Sequence, residues 1–279
     1  YLWLPPLMED PQNENVIYIA GGGINGGNHI IKLTKVGNSI EYEEIPFPFN
    51  NTITSMAYSP IDNSHWYAMT YNGSFYHSID YGNSWEISLG FTGPESHYFY
   101  GSSIYPSNQT LGKVLIGGSG YSNSPVYITY NHGQNFQNFS QGLPNTMVFE
   151  IDGTLTDQVI FAATELGPYA YTDEQGEWIN IMGLSAPDQT YWSLEYVPEI
   201  NTARFGTYGR GIWDFIISEN IDILYGDINQ DETINIQDVI LLINIILDES
   251  DFIIEADMNN DEVINVIDVV SLVNIILGA

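Results

Sequence analysis

One stretch near the end of the chain restricts its fold more than any other. Residues Asp227–Asp238 read D-I-N-Q-D-E-T-I-N-I-Q-D, and thirty residues later Asp257–Asp268 read D-M-N-N-D-E-V-I-N-V-I-D. Oxygen-bearing side chains occupy loop positions 1, 3, 5, 9 and 12 in both copies. A tight twelve-residue loop wraps a hard cation with this spacing: alternate side chains point inward, and the position-7 carbonyl adds a backbone ligand. Each loop runs directly into an apolar segment, Val239–Leu247 and Val269–Leu277, so each unit reads as loop then helix. A solvated acidic turn would account for one copy alone. Two copies in one register, each with a matching helix behind it, point instead to two calcium ions.

Paired D-x-N-x-D-x-x-[IV]-N-x-x-D loops with one helix after each resemble a type I dockerin, over roughly 222–279. The resemblance implies side-chain ligands Asp227, Asn229, Asp231, Asn235 (often through water) and Asp238, with the Thr233 carbonyl. In the second loop it implies Asp257, Asn259, Asp261, Asn265 and Asp268, with the Val263 carbonyl. Asp at position 12, in place of the longer Glu of EF-hands, matches dockerins. Two features depart from the pattern. Position 6, usually Gly where the loop turns sharply, is Glu232 and Glu262; a non-Gly residue in that backbone region costs roughly 1 kcal/mol. Positions 10 and 11, usually Ser or Thr in cellulosomal dockerins, are Ile236–Gln237 and Val266–Ile267, and Asn244–Ile245 and Asn274–Ile275 stand where Lys or Arg usually follow. A cohesin partner of the well-known polar-contact kind is therefore not what these residues suit.

The segment Val239–Leu247, V-I-L-L-I-N-I-I-L, is apolar on nearly every side. A helix apolar all round must be covered all round. Two helices in fewer than sixty residues hide one face against each other, so helices 239–247 and 269–277 are expected to dock on a cohesin-like module, the rest of the chain, or a neighbouring copy.

Upstream, short β-rich runs recur at roughly 40–50 residues: Val16–Ala20, His65–Thr70, Lys113–Gly117, Gln158–Ala163 and Arg204–Tyr208. Each is followed by a second run: His29–Leu33, Ser74–Ser78, Pro125–Thr129, Pro168–Tyr171 and Gly211–Ile217. Strand, turn, strand, turn at constant period is a propeller-blade rhythm. Ser78–Trp85, S-I-D-Y-G-N-S-W, fits the Asp-box (BNR) pattern [ST]-x-D-x-G-x-x-[WF] at every fixed position. There the carboxylate accepts turn amide hydrogens, Gly82 takes a backbone angle that others avoid, and Trp85 wedges into the blade. Thr129–Phe136 is the same with Asn131 for Asp, and Thr172–Trp178 is a copy shortened by one residue. Residues 1–218 thus resemble Asp-box propellers, and Gly206–Trp213, G-T-Y-G-R-G-I-W, resembles the last-blade phrase of the sortilin/xyloglucanase-like group. Five blades are expected, at about 1–49, 50–92, 96–143, 146–184 and 190–218, the last without an obvious fourth strand. Relatives usually have six or more blades, so the chain reads as the C-terminal part of a larger propeller. An open sheet edge seeks a strand, from upstream of Tyr1, from Ser218–Leu224, or from another molecule.

Charge bounds the partners. Five Lys and Arg against 35 Asp and Glu give a formal charge of −30, and no basic residue follows Arg210. Such a surface repels nucleic acid phosphates and anionic lipid, while 14% aromatic content argues against disorder. No Cys is present and no apolar run reaches membrane length. Calcium loops imply an extracellular or cell-surface setting, and the chain, opening at Tyr1, reads as a processed product or fragment whose export signal lay upstream.

Residues for catalysis are not singled out. No G-x-S-x-G, Cys nucleophile or H-E-x-x-H occurs, and His132, inside an Asp-box turn, reads as merely exposed. A glycosidase needs two carboxylates across the bond; Glu95, Glu150, Asp152, Asp157 and Glu165 are available, but nothing pairs them. Asp80 belongs to its turn. Sialidase chemistry needs an Arg cluster, and only Arg204 and Arg210 exist. Tyr98, Phe99, Tyr100, Tyr191, Trp192 and Tyr208 are candidates for stacking on sugar rings.

The sequence is therefore read as an all-β Asp-box propeller of four-stranded blades (1–218), a linker (219–226) and a small all-α calcium-binding dockerin-like domain (227–279). The expected job is attachment of the propeller to a partner in polysaccharide degradation. The alternatives are a β-glucan or xyloglucan hydrolase fragment and a self-assembling surface fibre or coat.

Overall fold

Antiparallel sheets follow one another along the first 217 residues of the computed structural model. It describes residues 5–22, 24–91, 100–121, 123–183, 186–217, 226–229, 233–247, 256–259 and 263–277. The first sheet is β1 (Leu7–Glu9), β2 (Val16–Ile19), β3 (Ile31–Val36) and β4 (Ser39–Glu44). The second is β5 (Ile53–Tyr58), β6 (Trp66–Thr70), β7 (Phe75–Ser78) and β8 (Glu86–Ile87). The third is β9 (Gly101–Pro106), β10 (Val114–Gly118), β11 (Val126–Thr129) and β12 (Gln137–Asn138). The fourth is β13 (Val148–Gly153), β14 (Ile160–Thr164), β15 (Gly167–Tyr171) and β16 (Trp178–Asn180). The fifth has β17 (Tyr191–Val197), β18 (Thr202–Thr207) and β19 (Ile212–Ile216). Every sheet is a simple meander in chain order. Among the described residues the fifth blade has three strands.

The first strands β5, β9, β13 and β17 pack on one another in turn, which fans the sheets about a common axis. Second strands lie inside the seams: β6, β10 and β14 are buried along their whole length. That is why W-Y-A-M-T, V-L-I-G-G and I-F-A-A-T read as continuous runs of apolar and small residues without polar alternation. Each seam has its own core. Met8, Val16 and Tyr18 meet Trp66, Ala68 and Tyr76; Tyr67, Met69 and Phe75 meet Ile104, Val114 and Ile116. Further on, Tyr105, Leu115 and Ile128 meet Ile151, Ile160 and Tyr169, and Phe161 and Ala163 meet Tyr191, Ala203 and Phe205.

Axial strands have one unpaired edge, and side chains of the preceding blade satisfy it. Ser55 Oγ donates to the Gly101 carbonyl, and Ser103 Oγ accepts the Ile151 amide at 2.9 Å. Glu150 Oε2 accepts the Leu194 amide at 2.8 Å, and Asp152 Oδ2 accepts the Tyr196 amide at 2.7 Å.

The three box-like turns lie between third and fourth strands. In the first, Asp80 Oδ1 accepts the Ser84 amide at 2.8 Å and the Ser78 hydroxyl at 2.8 Å, while Trp85 Nε1 donates to the Gly82 carbonyl. Gly82 has φ +78°, and a Cβ there would stand 2.6 Å from the Trp66 ring. Asn131 repeats the pattern, its Oδ1 accepting the Thr129 hydroxyl at 2.9 Å and the Asn135 amide at 3.2 Å. An amide oxygen serves here because the turn needs acceptors, not charge. The third turn lacks this anchor, but Trp178 still fills the seam and donates to the Phe139 carbonyl.

At the far end, Asn201 clips the exit strand. Its Nδ2 donates to the Ile217 carbonyl at 2.8 Å, its own carbonyl accepts the Ile217 amide, and Tyr196 Oη donates to its Oδ1.

Contacts divide the chain into two compact units, Tyr1–Ile217 and Ser218–Ala279. In the second unit α1 (Ile236–Leu247) packs on α2 (Val266–Leu277) around Val239, Leu242, Ala256 and Leu272. Residues 219–225 of the expected linker, and Ser218–Leu224 as a strand donor, lie outside the described residues.

Candidate functional site

Both helices begin three residues before the apolar runs that announce them, at loop position 10. The cause is a cap at position 9: Asn235 Oδ1 accepts the Gln237 amide at 2.8 Å, and Asn265 Oδ1 accepts the Ile267 amide at 2.8 Å. Asn is among the preferred N-caps, and the side-chain oxygen satisfies an amide left without an intrahelical partner. The same asparagines donate to the position-7 carbonyls, Asn235 Nδ2 to Thr233 at 3.1 Å and Asn265 Nδ2 to Val263 at 3.2 Å. Position 9 thus ties the loop's return limb to its helix.

Position 12 closes each loop from inside. Asp238 Oδ1 accepts the Ile228 and Asn229 amides at 2.9 and 3.2 Å, and its Oδ2 accepts the Asn235 amide at 2.9 Å. Asp268 repeats this with Met258 at 2.9 Å and Asn265 at 2.8 Å. The structure therefore brings Asp227, Asn229, Thr233, Asn235 and Asp238 onto one small loop, and Asp257, Asn259, Val263, Asn265 and Asp268 onto its twin. The remaining two, Asp231 and Asp261, and the position-6 residues Glu232 and Glu262 lie outside the described residues.

The electrostatics of these loops are one-sided. Asp227, Asp238, Asp257 and Asp268 are 6%, 0%, 2% and 0% exposed. Every charged side chain in 218–279 is acidic. Taking a carboxylate out of water without a counter-charge costs several kcal/mol, and amide hydrogen bonds offset only part of that. A donor set of carboxylates, amide oxygens and carbonyls suits a hard divalent cation.

The helices leave one apolar stripe uncovered. On α1 it is Ile236, Ile240, Ile243 and Leu247, spaced at three to four residues; on α2 it includes Val266, Ile267, Val270 and Leu277. No helix among the described residues is long and apolar enough to cross a membrane.

The propeller's candidate acids are placed as follows. Burial, with Asp152 and Glu195 adding to it, pushes Glu150 up to about 7, and burial likewise raises Asp152. Both hold amides of β17. Asp157 accepts Tyr105 Oη at 2.7 Å and the Asn108 amide at 3.0 Å, with Lys113 Nζ at 3.4 Å; Glu165 accepts Tyr121 Oη at 2.8 Å. Glu95 lies outside the described residues, as do Tyr98 and Phe99. Of the aromatics, Tyr191 is fully buried and belongs to the core. Trp192 is 42% exposed and lies 4.3 Å from Phe149, with Tyr208 6.1 Å away on its other contact. Tyr100 packs edge-on against Tyr71. His132, expected merely to be exposed, is half-buried: its turn has φ +57° and lays the ring on His65 and His77 of the second blade. A lone turn histidine carries no signal in sequence for this contact.

Residues 225–277 match the family of dockerin type I domains. No curated protein matches the chain in sequence. Among solved structures, the chain is similar to the GH74 xyloglucanase from Xanthomonas campestris, with 14% identity and a TM-score of 0.57 over 76% of this chain and 36% of that one. It is also similar to a GH74 enzyme from Niastella koreensis, with 18% identity and a TM-score of 0.56 over 75% and 36%. An ancestral GH74 enzyme gives 19% identity and a TM-score of 0.58 over 75% and 30%. The chain spans about a third of the length of these enzymes, and at such identities the likeness shows the β-propeller fold alone.

Proposed function

We propose that this protein is an extracellular attachment protein: its C-terminal dockerin unit closes around two calcium ions and holds the β-propeller to a cohesin-like module in a polysaccharide-degrading assembly. The observation that carries the reading is the set of four buried aspartates in a segment with no basic side chain. Calcium supplies the missing positive charge. Asp227, Asn229, Asp231, Asn235, Asp238 and the Thr233 carbonyl would hold one ion. Asp257, Asn259, Asp261, Asn265, Asp268 and the Val263 carbonyl would hold the other. With the loops closed, α1 and α2 are fixed side by side and their apolar stripe becomes a rigid docking face, contacting its partner through Ile236, Ile240 and Val270 in place of the usual hydroxyls and cations.

The test is titration calorimetry of the intact chain against type I cohesin modules, with calcium and with chelator. Binding should need calcium and should fall at least tenfold in Asp238→Asn with Asp268→Asn. Equal affinity in chelator would refute calcium gating, and no binding to any cohesin in calcium would refute the partner.

A reading of the propeller as a sugar-contacting surface is favoured by one observation, the Phe149–Trp192–Tyr208 cluster, in which Trp192 and Tyr208 are exposed. Stacking on pyranose rings suits such a platform. A hydrolytic role draws no support from Glu150 and Asp152, whose oxygens hold the axial strand.

A further inference from the structure

We propose that His65, His77 and His132 form a binding site for one divalent transition-metal ion of the zinc class, bridging the second and third blades and separate from the acidic loops. One ring nitrogen from each of the three lies within 4.8 Å of the others. The closest pair, His65 Nδ1 and His77 Nε2, is 2.8 Å apart. Nitrogens around a tetrahedral zinc with bonds near 2.0–2.1 Å stand about 3.3 Å apart. Opening the close pair by about half an ångström and drawing in the third ring would meet that geometry. The rings are nearly parallel, with centroids 4.5 to 5.0 Å apart.

The surroundings are those of a ligand set. Imidazole is a borderline donor that suits zinc, copper and nickel over calcium, so this site and the carboxylate loops select different ions. Metal ligands need neutral rings, and burial, with His132 and His65 adding to it, holds His77 down to about 4; burial lowers His132 as well. An outer partner orients one of the rings, Tyr67 Oη lying 2.9 Å from His132 Nδ1, and Asp62 Oδ2 stands near another, 3.9 Å from His65 Nε2. Hydroxyl and carboxylate partners of this kind commonly fix the orientation of metal-bound histidines. A cavity of about 260 Å³ lined by His77, Glu86, His132 and Gln134 leaves room for a water in the fourth position. The His65–His77 contact holds a single proton between two nitrogens. The ion takes those two nitrogens, and the shared hydrogen moves to the outer nitrogen of its own ring, Nε2 of His65 or Nδ1 of His77, so both rings stay neutral and no proton is lost to solvent.

The blade geometry explains why the site exists. His65 directly precedes β6, and His77 lies on β7 opposite Tyr67, so both belong to the second blade. His132 occupies the left-handed position of the third blade's box turn, where the first box has Tyr81. The turn swings that side chain back across the seam.

The experiment titrates cobalt(II) into metal-free intact protein with calcium in excess to fill the loops. The expected result is one equivalent taken up with the intense visible absorption of low-coordinate cobalt bound by nitrogen, and displacement by zinc. His77→Gln with His132→Asn should abolish the band and weaken uptake at least hundredfold while calcium binding is unchanged; Asn tolerates the left-handed backbone of position 132. Should that variant fold poorly by tryptophan fluorescence, copper(II) spin resonance on the wild-type chain replaces it, with hyperfine structure from three nitrogens expected. Weak absorption of six-coordinate cobalt, uptake unchanged in the folded variant, or oxygen-only copper coordination would each overturn the proposal.

Discussion

Glu150→Gln is the sharpest perturbation of the propeller. In the fold this carboxyl is pushed from 4.5 up to about 7 by burial, and its Oε2 accepts the Leu194 amide. Because the folded value is raised, the native state holds its proton more tightly than the unfolded chain does. The contribution is fully present below pH 4.5 and is lost as pH rises towards 7. Two and a half units correspond to about 3 kcal/mol of stability lost between those limits. Gln keeps an oxygen for the Leu194 amide and carries no charge, so the variant should escape that loss. The stability difference between variant and wild type should shift by about 3 kcal/mol in the variant's favour between pH 4 and pH 8. Urea unfolding followed by tryptophan fluorescence reads this in the propeller alone, because all six Trp precede residue 218. Parallel pH profiles for the two proteins would refute the reasoning: Glu150 would then be solvated, and its hydrogen bond to the axial strand would not involve a buried charge.

Two further substitutions test the packing, each with an internal control. Gly82→Ala meets the Trp66 ring at 2.6 Å as well as a left-handed backbone, and should cost about 3 kcal/mol, whereas Gly176→Ala at φ +67° meets nothing within 4 Å and should cost about 1 kcal/mol; equal midpoints in urea would contradict this. Asp157→Ala strips the acceptor from Tyr105, Ser107 and Lys113 together and should cost about 3 kcal/mol, while Arg204→Ala, breaking an exposed pair with Asp214, should leave stability nearly unchanged; thermal melts that rank them in reverse would count against it.

The chain announces its blades because the seams demand it. W-Y-A-M-T, V-L-I-G-G and I-F-A-A-T are legible since a strand buried on both faces has no polar side to alternate with. Ser78–Trp85 is legible because a turn that satisfies its own amides needs fixed side chains at fixed spacing. The acidic loops are legible for the same reason. What escaped is whatever depends on neighbours distant in sequence. Asn235 and Asn265 sit at positions where the proposed ligand and the observed helix cap ask for the same residue, so the helix starts read three residues late. Glu150 and Asp152 look like free acids until β17 is brought beside them, and His132 looks like a surface residue until the third blade turns it onto the second.

Asn201 has a mechanical meaning once the C-terminal unit is thought of as an anchor. Tension between a moored anchor and a propeller dragged by flow would enter the β-fan at Ile217, the residue just after its exit strand β19. An outer strand pulled from its end comes away pair by pair like a zip, which takes little force compared with shearing a whole strand at once. The backbone link and the side-chain amide bond that join Asn201 to Ile217, with Tyr196 behind them, put a latch at the end where such a zip would start.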